Sequence, residues 1–495
     1  MNWRKAWSAL WGKDKTEAYR RARAYAKRAS AYDGALTNNH NQNHWSNVSF
    51  TDGNNTLLGD DSLTIVRARV RHEMRNNTYA LGAARKYANY IVGTGPKLQM
   101  LGSTTTTNER VEALFEEWAN DPENFDAVGA QSYAEMLRLC VEELFPSGEY
   151  FRQWMYDMEA PTQMKLRSLL VAPERVSTPS DLSDSIIAGI EQNAIGKPVR
   201  YWVSNKYPSS YEQFTLAAGS TLESAKYSAV DRPNMIHTLI SDQPEMLRGT
   251  PLGAAVLNVF ATMRRFDEAT IRAAEMAALF AAFMTTDAPD QYDPDVDPEQ
   301  FEIEAGTFTT LPPGSDIKQV TPQHPSSVYE TFKRGKLTDA GASTSLPYNV
   351  LASDSSGHNY ASGRLDWQGL IRAVKVRRQW LCRHDCNRVF ERWYKEASLV
   401  YGLPAKMPKY KWMWPGFEHV DPMKEAQAAV LRIQNNLQTY QDYFAGEGKD
   451  YRDEFAQMST EEDQMEQLGI VVEPSTSGNV AGNDTDDDEQ EIEDE

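Results

Sequence analysis

The 495-residue sequence predicts an α+β fold in which helices surround a region of short antiparallel strands. Two observations predict it. Long segments with apolar residues at helical spacing open the chain and return after residue 250, and short runs of apolar and aromatic residues separated by Pro, Gly, Ser and Asp lie between them. A chain of this length can hold two to four compact units or one large subunit with elongated parts.

The first 60 residues are predicted to form a basic arm and a linker. Residues 1–35 contain nine Lys and Arg against three acids, and residues 40–61 are rich in Asn, Ser, Gly and Asp. Helices are then expected over 63–93, 109–119 and 132–144, the first of them capped by Asp61 or Ser62.

The pattern changes to short runs that are typical of strands. Such runs occupy 149–158, 163–171, 186–190 and 199–205, and the region that contains them ends near 235–239. Because turn residues separate them closely, we expect an antiparallel sheet.

The order of the segments after residue 250 carries the most functional information. An Ala-rich helical stretch (254–286) leads into an acidic, proline-broken excursion (287–323), and a second helical stretch (326–345) follows. A polar loop (353–363) then precedes a long Arg-rich helix (364–394). This order suits a stalk that carries an interaction tip and lines a passage, and it suits a catalytic pocket poorly.

The remaining segments are predicted from composition and periodicity. An aromatic, proline-rich stretch (401–419) is expected to return to the α+β body, and helices are expected over 423–443 and 450–468. The last twelve residues, 484–495, hold nine carboxylates and no cation, so residues 471–495 are predicted to be a disordered acidic tail.

Cysteine content and hydropathy indicate a soluble intracellular protein. Three cysteines argue against a disulfide scaffold and for a reducing compartment. The N-terminus has no apolar core of signal-peptide length. The most apolar run, 276–284, has nine residues, whereas a membrane span needs about 20.

The sequence lacks the common catalytic and metal-binding motifs, which predicts no enzyme, no cofactor and no metal site. The chain has no Walker phosphate loop, no paired-histidine zinc motif and no nucleophile elbow. Cys382 and Cys386 would share one face of an α-helix, with His384 about 200° around from each, so we expect two small residues that pack in an interface. The acids from Asp293 to Glu304 imitate a calcium loop, but Pro298 occupies the position that needs glycine.

Two charged segments indicate whether the chain would bind nucleic acid. Residues 287–316 contain nine carboxylates and no Lys or Arg, which indicates an acidic, exposed tip. The long helix carries eight Lys and Arg, but Arg372 and Lys375 lie roughly opposite the apolar face of Leu370 and Val374, and most of the others are scattered. A tight DNA binder concentrates its cations, so this chain is predicted to be a wall that DNA slides past, with its arginines paired to acids in neighbouring helices or subunits.

Several short motifs, taken in order, resemble the lambda-like family of tailed-bacteriophage portal proteins. In the first half of the chain they are Arg67-Ala68-Arg69, Arg75-Asn76-Asn77-Thr78-Tyr79-Ala80, Ile91-Val92-Gly93-Thr94-Gly95, Pro173-Glu174-Arg175-Val176-Ser177-Thr178-Pro179 and Gly189-Ile190. In the second half they are Ile236-His237, Leu247-Arg248-Gly249-Thr250-Pro251-Leu252, Leu346-Pro347-Tyr348, Leu351-Ala352-Ser353-Asp354 and Asn359-Tyr360-Ala361-Ser362. Together they are spread over about 65–420.

The resemblance implies a portal-type subunit whose parts fall on the segments described above. These are an N-terminal arm and linker (1–60), an α+β wing (61–250 with 395–420), stem helices (251–286 and 325–346), a clip (287–324), a channel loop (347–363), a long channel-side helix (364–394), a helical crown (421–470) and the acidic tail (471–495).

The resemblance also implies a function and partners. About twelve copies would form a ring at one capsid vertex, since a heterologous interface whose rotation closes generates a ring. The ring would nucleate procapsid assembly in the host cytoplasm, contact the major capsid protein and scaffolding protein, and pass double-stranded DNA non-specifically. The terminase large subunit, and later a head–tail adaptor, would dock on it, and no membrane would be involved.

The predicted contact residues fall in two groups. The channel loop would meet DNA through Asp354, Ser355, Ser356, His358, Asn359 and Tyr360. The clip would attract basic docking surfaces through Asp290, Asp293, Asp295, Asp297, Glu299, Glu302 and Glu304. A plain turn between two helices is the alternative for the loop. For the whole chain, the alternatives are a DNA-processing enzyme with a divergent site and a capsid scaffold or adaptor without a channel.

Overall fold

A computed structural model describes residues 60–182, 186–207, 226–279, 283–286, 315–318, 328–417 and 422–469. Within these residues helices predominate and the strands form small antiparallel sheets, so the predicted α+β class is confirmed. The predicted arm and linker up to residue 59, most of the predicted clip and the predicted acidic tail lie outside the described residues.

Two helices replace the single helix predicted over 63–93. Helix α1 spans Asp60–Asn76 and helix α2 spans Thr78–Val92. Asn77 separates them because its backbone is extended, with φ −131°, and its side-chain oxygen accepts hydrogen bonds from the N–H groups of Tyr79 and Ala80. Asparagine is a favoured N-cap residue, since its short amide competes with the helical backbone for these groups. The apolar spacing continues across the break, which explains why periodicity alone predicted one helix.

The next elements complete the helical part of the body. They are β1 (Lys97–Met100), α3 (Thr105–Asn120), α4 (Pro122–Phe125) and α5 (Tyr133–Ser147). A capping box between Ser132 and Glu135 begins α5. Helix α2 packs against α5, and the small buried residues of α2 let the two helices approach closely.

Two antiparallel sheets follow. Strands β2 (Glu149–Tyr156), β3 (Leu166–Val171) and β8 (Met235–Leu239) form one sheet in the order β3-β2-β8. Strands β4 (Ile186–Ile187), β5 (Ile190–Gln192), β6 (Pro198–Ser204) and β7 (Tyr227–Asp231) form the other in that order. The single strand predicted over 186–190 is therefore wrong, because Ala188 and Gly189 turn the chain with φ of 49° and 77°.

The predicted stem segment contains helices that pack on each other. Helix α6 spans Leu257–Leu279 and α7 spans Val328–Thr344, and Phe266 of α6 stacks on Tyr329 of α7 at 5.7 Å between ring centroids. The helix predicted to 286 is wrong at its end, because β9 (Phe283–Thr286) pairs antiparallel with β10 (Ser315–Lys318). An aromatic residue followed by paired threonines favours a strand over the Ala-rich helical pattern before it.

The long helix predicted over 364–394 is longer and interrupted. After the short α8 (Tyr348–Ala352), α9 spans Tyr360–Leu381, a π-helical turn occupies Cys382–Cys386, and α10 continues over Asn387–Val400. The predicted loop over 347–363 is therefore corrected to 353–359, because helices occupy both of its ends. The capping box between Asn359 and Ser362 explains the early start of α9.

The aromatic stretch after α10 packs onto the helical body. Strand β11 (Tyr410–Met413) pairs antiparallel with β1, with Leu98 opposite Trp412. Phe115 of α3 lies edge-on to Phe390 and Trp393 of α10, at 5.4 and 5.2 Å between ring centroids. This aromatic cluster anchors α10 within the main core.

Three helices lie at the C-terminal end of the described chain, α11 (Pro422–Gln434), α12 (Tyr440–Gly446) and α13 (Tyr451–Leu468). The single helix predicted over 423–443 is wrong, because Asn436 adopts φ 55° and ends the first of them. Within the described ranges, no helix combines the length and the apolar character that a membrane crossing requires.

Candidate functional site

Helix α9 presents one continuous exposed face. Its exposed residues recur at alternating spacings of four and three, Ala361, Leu365, Gln368, Arg372, Lys375 and Gln379. Leu365 and Val376 are 70% and 66% exposed. Leu370 and Val374 point the other way and are buried, as the sequence predicted. The exposed face is long enough to meet another molecule along several helical turns.

The cations of this helix do not behave alike. Arg372, Lys375 and Arg383 are exposed, and within the described chain they take part in no ion pair. Arg378 is buried and donates to the backbone carbonyls of Ile91 at 2.8 Å and Pro415 at 2.8 Å. The predicted pairing with an acid is wrong for Arg378, whose donors bind backbone carbonyls, and for the exposed cations pairing with a neighbouring subunit stays a prediction. Burial lowers the pKa of Arg378 to about 10, with Cys382 opposing.

The π turn of the long helix is held by a fully buried ion pair. Asp385 lies 3.3 Å from Arg152 of β2, and both side chains are 0% exposed. The Asp385 carboxylate also accepts hydrogen bonds from the hydroxyls of Tyr150 at 3.1 Å and Tyr133 at 3.4 Å. Since a π turn inserts a residue into the helical ladder, it places Asp385 on the buried side of the helix. The pair therefore fixes the register of the long helix against the β2 sheet.

The two cysteines lie at this turn. Cys386 is buried and Cys382 is half-buried, where it accepts a hydrogen bond from the Trp414 indole at 3.3 Å. The α-helical geometry assumed for them does not apply, because the turn is π-helical. Their predicted role as packing residues agrees with these contacts. The described residues contain no cluster of three or more His, Cys, Asp or Glu side chains arranged to hold a metal ion.

A second buried cluster gathers the residues that carried the family resemblance. Glu149, at the start of β2, is ion-paired with Arg67 of α1 and with Arg248, and it lies 3.0 Å from His237 of β8. Burial alone would raise the pKa of Glu149, but Arg248 and Arg67 lie against it and hold that pKa well below its usual range. Burial lowers the pKa of His237, and the hydrogen bond to the Glu149 carboxylate and its charge offset part of this decrease.

Arg248 extends this cluster to the second sheet. Its guanidinium donates to the carbonyls of Val176 at 2.8 Å, Ala188 at 2.6 Å and Pro173 at 3.0 Å. Guanidinium groups suit such multidentate positions because their donors form a rigid planar fork. The motifs at Arg67, Pro173, His237 and Arg248 thus meet at one point and position the two sheets relative to α1.

The predicted channel loop is internally bonded. The Asp354 carboxylate accepts from the backbone N–H of Ser356 at 2.9 Å and from the Tyr348 hydroxyl at 3.0 Å. A hydrogen bond from the Ser356 hydroxyl, at 2.6 Å, lowers the pKa of Asp354, and the two other hydrogen bonds lower it further. His358 lies 3.1 Å from Asp366 of α9, and Asn359 caps that helix.

The start of the loop is attached to α2. The Lys86 ammonium donates to the carbonyls of Val350 at 2.6 Å and Leu351 at 3.0 Å, and to the Ser353 hydroxyl. At the other end Gly357 packs against the Arg334 guanidinium, 2.7 Å from where a Cβ would lie. Gly363, expected at the loop's edge, lies inside α9. The loop is thus a bonded connection with an exposed tip.

The structure places the two groups of predicted contact residues differently. Asp354, Ser355, Ser356, His358 and Asn359 lie together in the loop, and Tyr360 is the first residue of α9 and 54% exposed. The seven clip carboxylates lie outside the described residues. Sequence reasoning missed the buried clusters around Glu149 and Asp385. The signal available for the first cluster was Glu149 itself. It is a charged residue directly after a helix-ending glycine, at the start of an apolar strand.

The chain is similar to portal proteins over most of its length. It is 24% identical to the portal protein of Escherichia phage N15 over 81% of this chain and 84% of that protein. The same identity and coverage hold for portal protein B of Escherichia phage lambda. The probable portal protein of Halomonas phage phiHAP-1 is 24% identical over 86% of this chain and 85% of its own length.

Two solved structures share weaker likeness. One, from the virion of a native gene transfer agent particle, is 13% identical, with 77% of this chain and 92% of that chain covered and a TM-score of 0.43. The other, an HK97-family phage portal protein from Corynebacterium diphtheriae, is 12% identical, with 62% and 88% covered and a TM-score of 0.31.

A family model supplies the assignment. The model described as phage portal protein, lambda family, matches residues 41–378, which is more than half of the chain. This range includes α1, α2, both sheets, α6 to α8 and most of α9. The chain belongs to the lambda family of phage portal proteins.

Proposed function

We propose that copies of this chain form a closed ring of about twelve subunits around a channel for viral DNA at one vertex of the capsid. Proteins of this family are structural components of bacteriophage virions rather than enzymes. The observation that carries the proposal is the family match over 41–378, which includes the packed helices α6 and α7, the loop and the exposed face of α9.

The exposed face of α9 supports the ring. Leu365 and Val376 would remain in water in a monomer, although each is a large apolar side chain. Each such residue gains about 1.5–3 kcal/mol when fully buried, so covering them favours association. In a ring every subunit would cover this face with a different surface of its neighbour, because the contact is heterologous.

The loop over 353–359 is proposed to face the DNA. The Lys86 anchor and the Asn359 cap hold its two ends, while Ser355, Ser356 and His358 lie between them. Polar side chains of low net charge would contact phosphates briefly without binding tightly, since strong binding requires several clustered cations. Such contacts would resist slippage of DNA during packaging and allow its later ejection.

The partners are proposals of the same kind. The acidic clip would dock the terminase large subunit and later the head–tail adaptor, because repeated carboxylates attract basic surfaces and speed association. The wing and crown would meet the major capsid protein and scaffolding protein, so that the ring nucleates procapsid assembly in the host cytoplasm. ATP hydrolysis would belong to the separate motor chain.

The ring is tested by negative-stain electron microscopy and light scattering of the purified chain, with scaffolding protein added if the chain alone stays monomeric. Closed rings with a central hole are expected. The double variant Leu365→Asp/Val376→Asp should fold but fail to form rings. Ile195→Asp, at an 84% exposed turn residue, is the matched control and should assemble. Monomers or open chains in the presence of scaffold would contradict the proposal, and so would rings from the double variant.

A further inference from the structure

A cationic cleft lies where the two sheets meet helix α10. Its volume is about 370 Å³. Trp154 of β2, Tyr201 of β6 and Met235 of β8 contribute its apolar walls, and helix α10 forms one side. The remaining lining residues are Arg232, Pro233, Ile236, Arg388, Glu391 and Arg392. The cleft is separate from the channel loop and from the exposed face of α9.

Three arginines in this cleft have unused donors. Arg388 and Arg392 are one helical turn apart on α10, and Arg232 comes from the turn before β8. Within the described chain, the side chains of Arg232 and Arg388 take part in no ion pair or hydrogen bond. Arg392 donates to the Tyr156 hydroxyl at 2.7 Å and lies 3.7 Å from Glu396, yet its Nε is buried and has no acceptor.

A buried donor without an acceptor is costly, and its usual explanation is a missing partner. Here the missing partner must be an acceptor, because guanidinium groups only donate. Among the described residues of the lining, Glu391 is the one carboxylate, against three guanidiniums, and the whole chain has a net charge of −19. A local excess of positive charge in an acidic protein therefore selects an anion.

Tyr201 gives the cleft a neutral polar wall. Burial raises the pKa of Tyr201 to about 12, with Arg232 and Arg388 opposing. Both guanidiniums therefore lie near this phenol, which stays protonated at neutral pH. The ring and Trp154 offer apolar surface to the methylene groups of a ligand side chain, while the arginines of the lining offer paired N–H donors.

We propose that this cleft binds a protein segment rich in aspartate and glutamate, whose carboxylates pair with the guanidinium groups of Arg388, Arg232 and Arg392. A carboxylate matches the fork geometry of arginine bidentately. Double-stranded DNA fits less well, because its phosphates call for cations spread along a surface, whereas these three converge in one cleft. The inference does not depend on ring formation.

The test uses the full chain and a fluorescein-labelled peptide with the sequence of residues 484–495, followed by fluorescence anisotropy. A second peptide replaces each Asp and Glu by Asn and Gln. We expect Arg388→Gln and Arg232→Gln each to weaken binding by about tenfold, the loss of a charge-assisted hydrogen bond. Arg372→Gln changes net charge equally on the exposed face of α9 and should leave the affinity within about twofold.

Each outcome decides the proposal. The proposal is overturned if Arg372→Gln weakens binding as much as the cleft variants do, or if both cleft variants bind the peptide undiminished. It is also overturned if the amide peptide binds equally well, or if a DNA duplex binds more tightly to the same arginines. Arg232 is exposed, so its variant tests the cleft even if Arg388→Gln fails to fold. In a chain lacking residues 484–495, tighter peptide binding that still requires Arg388 would identify the chain's own tail as the ligand. Unchanged binding with the same requirement would assign the cleft to another protein.

Discussion

Substituting Asp385 by asparagine removes the carboxylate charge at the π turn while keeping the size and shape of the side chain. The charge is fully buried, 3.3 Å from the Arg152 guanidinium, and each of the two side chains is 0% exposed. The variant leaves Arg152 as an uncompensated buried cation. It also weakens the acceptor of the Tyr150 and Tyr133 hydroxyls.

The magnitude follows from this geometry. Removing one partner of a buried ion pair costs about 3–5 kcal/mol, because the remaining charge has lost its counter-charge and cannot reach water. The matched control is Asp366→Asn on the same long helix, where the carboxylate is 41% exposed and pairs with His358. Exposed pairs contribute about 0.2–1 kcal/mol, so we expect the two variants to differ by at least about 2 kcal/mol.

Urea unfolding followed by tryptophan fluorescence measures the difference, at one protein concentration and with light scattering to verify equal oligomeric state. The double variant Arg152→Met/Asp385→Asn should lose less stability than the sum of the two single variants, because the second substitution removes the stranded charge. The reasoning is refuted if Asp385→Asn is within about 1 kcal/mol of Asp366→Asn.

Three further predictions concern other buried groups. Because burial lowers the pKa of His237, the unfolded chain binds the proton more readily, and stability should fall as pH drops below about 6.5. The depressed pKa of Glu149 adds a further loss of stability below about 4.3. Urea midpoints between these pH values should fall less in His237→Gln, and an equal fall would contradict this. Gly148→Ala should destabilise the subunit by about 2 kcal/mol or more, since the φ of Gly148 is 71° and a Cβ would lie 2.2 Å from the Thr250 carbonyl. The control is Gly82→Ala in α2, where a Cβ meets nothing within 4 Å, and this variant should be slightly more stable in the same urea assay. A native thiol titration should detect Cys382 alone, because Cys140 and Cys386 are buried, and reaction in Cys382→Ser would refute it.

Periodicity located the helices and strands but not their interruptions. The breaks at Asn77 and Asn436 depend on one side chain or one backbone angle each, and the apolar spacing on either side hardly changes. The π turn at Cys382–Cys386 is set by a partner more than 200 residues away, since Arg152 holds Asp385 on the buried side. A local pattern contains no record of such a partner.

The candidate site was predictable in part for the same reason. Leu370 and Val374 were placed correctly on the buried face of α9, because helical spacing fixes relative orientation. Arg378 was predicted only as one of the cations scattered around the helix, yet it is buried and binds carbonyls of Ile91 and Pro415, which meet it only in the folded chain. The residue type predicts the charge of Arg378, whereas its binding partners depend on tertiary contacts.

The motifs that revealed the family and the surfaces proposed to act in the ring are different residues. Arg67, His237 and Arg248 converge on Glu149, and each is buried. The buried Glu149 carboxylate depends on both guanidiniums to offset its burial, so these positions constrain the fold strongly. Leu365 and the loop tip are exposed and constrained only by what they meet outside the subunit. Substitutions of Arg67 or Arg248 should therefore destabilise the subunit, whereas variants of the exposed face should leave it folded and abolish assembly.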